Sequence, residues 1–235
     1  HEIHFNKNQY NKTIIELYVQ ILIKNNKIVP ALNFVENLPK KLKDDVIIKH
    51  LKVKLFEKNN DLELAEILIN EILEISPLVA DYMSTQSRIF YNLKKENKNE
   101  LIVKNINLIN IENSKEKTSD NFYNLLYHYY LLDDVANFVK NIALYLADYS
   151  MSSHQIKQLI EISQSFYINI QLLQKHNFKL DDYRDYHNLI LSYAKINFPN
   201  NYYFPLQNLN DDDTAMEGVE KSLEIYPFNE EALSI

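Results

Sequence analysis

Asn60 to Pro77 reads NDLELAEILINEILEISP, and Asn210 to Pro227, 150 positions later (210 − 60), reads NDDDTAMEGVEKSLEIYP. The two stretches share a skeleton. Ala65 answers to Ala215, Ile69 to Val219, Leu73 to Leu223 and Glu74-Ile75 to Glu224-Ile225, and Pro77 and Pro227 close them at the same offset. A small residue, an apolar stripe at helical spacing and a terminal proline describe an amphipathic helix that lies close to a neighbour and then stops. Because the pattern returns far along the chain, the fold is read as a series of similar units.

Working outward, the apolar period marks helices on both sides. Tyr10, Ile14, Leu17 and Ile21 define one face of a first helix, and Val29, Leu32 and Val35 a second that stops at Leu38-Pro39, with Pro30 in its opening turn. Val46, Ile47, Leu51 and Leu55 form the next stripe. Lys58-Asn59-Asn60 then turns the chain, and Asn60 with Glu63 has the spacing of a capping box, so residues 43–77 make one helical hairpin. Pro39 and Pro77 stand 38 apart (77 − 39), and the 150-residue offset holds four periods of about 37 to 38 residues. Leu78 to Glu96 and Asn97 to Ile111 pair next, and the polar run Glu112 to Lys117 is a loop. Asp120 to Leu132 and Val135 to Tyr149 pair around Asp133-Asp134, which can cap the second helix. Ser152 and Gln155 open a long helix to Gln174, partnered by Leu180 to Ile196. Pro199 and Pro205 break the regularity of residues 198–212, read as an irregular loop or degenerate helix, and residues 213–235 as a final repeat helix leading into a further repeat.

The Asn60–Pro77 pattern and its recurrence resemble the second helix of a tetratricopeptide repeat. The resemblance implies an all-α, right-handed solenoid of five to six antiparallel helical hairpins over residues 1–197. Its first helices would line a concave surface free of packing duty. It implies an interaction or scaffold role, with no cofactor of its own. The chain starts at His1 and ends in FNEEALSI, which resembles the opening of another repeat, so the sequence reads as a segment of a longer protein.

Composition narrows the function further. The single glycine, Gly218, excludes the phosphate-cradling glycine loops of P-loop and dinucleotide-binding enzymes. The absence of cysteine removes disulfides and thiolate metal sites, and no apolar run reaches membrane-spanning length. A cytoplasmic location is the expectation. Lys and Arg number 25 against 32 acidic residues, Arg88 and Arg184 being the only arginines, which argues against nucleic acid despite local basic runs at Lys40-Lys41-Leu42-Lys43 and His50-Lys52-Lys54.

No motif pairs a nucleophile with a base or sets metal ligands one helical turn apart. His50, His128, His154, His176 and His187 stand singly and are assigned to surface or interface positions, and His1 and His4 to the chain start. Asp211-Asp212-Asp213 lacks the glycine and late glutamate of a calcium loop, position 222 being Ser222, and reads as a helix cap. No catalytic, cofactor or metal residue is therefore assigned. The aromatic cluster is more informative: Tyr123, Tyr127 and Tyr130 fall at i, i+4 and i+7, with Phe122 and Tyr129 on the adjoining face. Core packing between hairpins accounts for such a stripe. If Asp120 to Leu132 is a first helix, Leu125, Leu126, Tyr129 and Leu132 form the packed face, and Tyr123, Tyr127 and Tyr130 look into the groove as partner-binding residues.

The expectation is thus a noncatalytic interaction or scaffold module for a protein or peptide partner. Its rival is an accessory or regulatory helical region of a larger bacterial enzyme, such as a glycosyltransferase or polysaccharide-synthesis protein. In that case the partner includes a catalytic domain of the same parent chain.

Overall fold

The computed structural model describes residues 12–199 and 201, and among these all regular structure is helical. The repeat half at residues 210–227, the end of the irregular segment and the final helix expected at 213–235 lie outside the described residues. The chain divides into two compact units, His1–Glu112 and Asn113–Ile235. No helix among the described residues is long and apolar enough to cross a membrane.

In the first unit α1 (Lys12–Lys24) pairs with α2 (Ile28–Glu36), a short α3 (Lys40–Lys43) follows Pro39, and α4 (Val46–Lys58) pairs with α5 (Leu62–Ile75). Then come α6 (Ala80–Asn92) and α7 (Lys98–Lys115), which runs across the division. Ala65, Ile69 and Ile72 of α5 are wholly buried, clustered with Val53 of α4 and Ile89 of α6. Removing such an isoleucine side chain from water contributes about 1.5–3 kcal/mol. Ala65 has no accessible surface at all, as the close helix contact requires. Ala31 of α2, 34 positions earlier (65 − 31), is equally buried.

In the second unit α8 (Ser119–Leu131) and α9 (Val135–Asp148) make one hairpin, and α10 (Ser153–Ile168), the short α11 (Ile170–Lys175) and α12 (Leu180–Asn197) make the next. Leu126, Phe138, Ile142, Leu159, Phe166 and Tyr183 are buried in its core. The Ser152–Gln155 capping box is present, and the Asp134 carboxylate caps α9 by accepting from Asn137 N at 3.1 Å.

Every hairpin among the described residues turns in the same way. One residue enters the left-handed region at each bend: Asn26, Asn60, Lys94, Asp133 and Asn177. Around Asn60, its own N–H donates to the Glu57 carbonyl at 3.1 Å and the Asp61 N–H reaches back to Phe56 at 2.9 Å. The same two bonds recur at the other four bends, so all five helices end in a Schellman motif. Glycine is the usual residue for this conformation, and a chain almost without glycine uses asparagine three times, since its short amide tolerates positive φ. The first three bends are 34 residues apart (60 − 26, 94 − 60) and the next two 39 and 44 (133 − 94, 177 − 133). The unit length is therefore shorter at the start of the chain than the proline spacing indicates.

Several local expectations are corrected. Asn60 closes α4 and does not open α5; the N-cap is Asp61, which makes no side-chain capping bond and instead accepts from Asn59 Nδ2 at 2.6 Å. In α1 the buried residues are Ile15 and Val19, whereas Ile14, Leu17 and Ile21 are about half exposed, because the helix is apolar around most of its circumference and packing on α2 and α4 selects the other face. In α4 Ile47 likewise points out, and Ile48, Leu51, Val53 and Leu55 are buried. The polar run after Ile111 remains helical to Lys115. The long helix expected to reach Gln174 breaks at Asn169, which ends α10 and caps α11 by accepting from Leu172 N at 3.1 Å.

Candidate functional site

The left-handed bend supplies a common register for the first helices. Tyr123, Tyr127 and Tyr130 of α8 stand ten, six and three residues before Asp133. His50, Lys54 and Glu57 of α4 hold the same places before Asn60, and Ser84, Arg88 and Tyr91 of α6 before Lys94. Since α4 and α8 turn into their partners through the same two hydrogen bonds, equal offsets present side chains at equal angles around the helix.

In the first unit the α4 places belong to a ladder that joins α4 to Asp81, Thr85 and Arg88 of α6. His50 Nε2 lies 3.0 Å from Thr85 Oγ1, Lys54 Nζ donates to Asp81 at 3.2 Å, and Arg88 holds Glu57 through two bonds of 2.8 Å. The Arg88 fork is bidentate, the stronger form of such a pair. Burial and the neighbouring Lys54 push His50 down to about 4, despite the carboxylate of Asp81 at 3.6 Å. Burial alone would raise the Asp81 carboxyl, but Lys54 and the His50 ring hold it below the ordinary value. These charges neutralise one another across the two helices.

In the second unit the same places carry tyrosines. Tyr123, Tyr127 and Tyr130 are each half-buried and lie at the edge of the core. The Tyr123 hydroxyl donates to Gln158 Oε1 of α10 at 2.6 Å. The rings of Tyr127 and Tyr130 are 6.0 Å apart, and Tyr130 meets Phe166 edge-on at 5.7 Å. One turn earlier the Asp120 carboxylate accepts from Gln155 Nε2 at 2.9 Å, so α8 and α10 are joined at two successive turns. Behind this face Leu125 and Leu126 are buried, while Tyr129 and Leu132 are half-buried.

The histidines divide between surface and buried positions. His50, His128 and His187 are buried, whereas His154 is exposed and His176 half-buried. His128 Nδ1 donates to the Asn124 carbonyl at 2.6 Å, which fixes the tautomer because a carbonyl can only accept. Burial pushes His128 down to about 4 against the opposing pull of that bond. His187 Nδ1 lies 3.0 Å from Ser163 Oγ, which lies 3.2 Å from the Tyr183 hydroxyl. A serine beside a histidine invites a nucleophilic reading, but Ser163, Tyr183 and His187 have no accessible surface, so a substrate has no way to reach the hydroxyl. This set ties α10 to α12. Such pairs are 20 to 35 residues apart and match no motif. Among the described residues no group of three potential metal ligands converges.

No family model matches the chain, and no curated protein is similar to it. Among solved structures it is similar to YrrB, described as a TPR protein with an unusual peptide-binding site, at 15% identity and a TM-score of 0.41, over 88% of this chain and 96% of that one. It is also similar to a chain of the Naa15/Naa10 complex bound to HypK-THB, at 15% identity and a TM-score of 0.31, over 97% of this chain but 39% of that one. In its antiparallel hairpins, the 34-residue spacing of its first three turns and the buried alanine of α2 and α5, the chain is similar to the tetratricopeptide-repeat proteins.

Proposed function

We propose that the chain is a noncatalytic interaction module that holds a protein or peptide segment against the first-helix face of its second unit, through Tyr123, Tyr127 and Tyr130. The observation that carries this reading is the contrast within one register. Where α4 and α6 meet at these places through charged pairs, α8 carries three half-buried tyrosines, of which Tyr123 and Tyr130 also touch α10. Tyrosine suits such a face: it gives a large apolar contact, a polar tip and little entropy to lose on binding.

Tyr127→Ala tests the assignment, read by a melting curve and by binding of a partner captured with the wild-type chain. Removing a core tyrosine costs on the order of 3 kcal/mol, whereas removing a groove residue costs little stability and much affinity. The expected result is a melting temperature within a few degrees of wild type and loss of the captured partner. A collapse of stability would place the stripe in the core and end the assignment.

A further inference from the structure

Asp81 of α6 and Asp120 of α8 are register equivalents, each thirteen residues before its left-handed bend (94 − 81, 133 − 120). Their charged surroundings differ. Asp81 receives the Lys54 ammonium at 3.2 Å, while Asp120 receives only the neutral Gln155 amide at 2.9 Å and has no cation within ion-pair distance among the described residues. Gln158, which accepts from Tyr123, is followed one turn later on α10 by Glu161. Glu161 is exposed. The tyrosine face is thus flanked by Asp120, which lacks the counter-charge that Asp81 has in the first unit, and by Glu161 on α10.

We propose that the segment bound by this face is cationic, and that a lysine or arginine of the partner takes at Asp120 the place Lys54 takes at Asp81. This inference rests on the tyrosine face being the binding surface and adds the chemistry of its occupant. A cation at Asp120 lies on the helix face that also carries Tyr123 at i+3 and Tyr127 at i+7. Within the described part of the site the polar groups that meet at these two turns are carboxylates, amides and phenols, which favour a donor-rich, positively charged side chain and disfavour an acidic one.

The test uses three pools of fluorescein-labelled peptides of about twelve residues, lysine- and arginine-rich, serine-rich and glutamate-rich, with the remaining positions randomised alike, read by fluorescence anisotropy against the whole chain. The basic pool should bind at least about tenfold more tightly than the neutral one, and the gap should close as salt is raised. Asp120→Asn with Glu161→Gln keeps the hydrogen-bonding shape and should cost the basic pool about tenfold. Asp120→Lys, an exposed charge reversal, should turn the preference toward the acidic pool. Equal binding of the neutral pool, or of the acidic one, with loss in Tyr127→Ala would overturn the cationic assignment and leave the face standing. Binding of no pool would count against the face itself.

Discussion

Lys94 is the least suited of the five bend residues to its conformation. Its φ of 54° places an ordinary Cβ-bearing side chain in the left-handed region, where a residue other than glycine, asparagine or aspartate loses roughly 1–2 kcal/mol. Glycine removes that strain and gives back part of it through the greater freedom of the unfolded chain. Lys94→Gly should therefore raise stability by about 0.5–1 kcal/mol, measured by urea or thermal unfolding. A fall in stability would mean that the bend is not the strained Schellman turn described. Asn60→Gly should change little, because asparagine already tolerates the position. The Lys-Asn-Asn turns could be seen in the sequence, but their conformation could not: Asn60 and Glu63 also satisfy the spacing of a capping box, and only the backbone shows that Asn60 finishes the preceding helix.

The helices were largely readable from their apolar period, and their faces less so. α5 could be oriented because Ala65 and Pro77 fix its contacts, whereas α1 offers isoleucine, leucine or valine on two sides and its orientation depends on α2 and α4. The ladder between α4 and α6 and the buried histidines depend on residues that meet only after folding. They also carry a prediction. His50, between α4 and α6, and His128, within α8, both titrate near 4 when folded and near 6.5 when unfolded. Between those values the unfolded chain binds protons that the folded chain refuses, so stability falls as pH drops from about 6.5 to about 4. The full loss is on the order of 3 kcal/mol for His128, and His50 adds a loss of the same sign. Asp81, held below its ordinary value, adds a loss of the same sign only below about 3.8. Urea unfolding as a function of pH should show this slope, and His128→Gln should flatten it. An unchanged slope in the variant would mean that the His128 ring is already charged inside the fold.

Across the chain, one hairpin design is used for two purposes. Between α4 and α6 these places carry the Lys54–Asp81 and Arg88–Glu57 ion pairs; on α8 they carry tyrosines beside an Asp120 that has no cation among the described residues. The sequence showed the tyrosine stripe, because helical spacing is local, but it could not show that Asp81 and Asp120 are equivalent until the bends set a common origin. Function in such a molecule belongs to the face left over after packing. The measurement that bears on this account is photocrosslinking in the native host, with p-benzoylphenylalanine placed at position 127 on α8 or at position 144 on α9, where Leu144 is exposed but lies outside the tyrosine stripe. The account predicts a discrete adduct from position 127 and none from position 144; an adduct from position 144 with none from position 127 would contradict it.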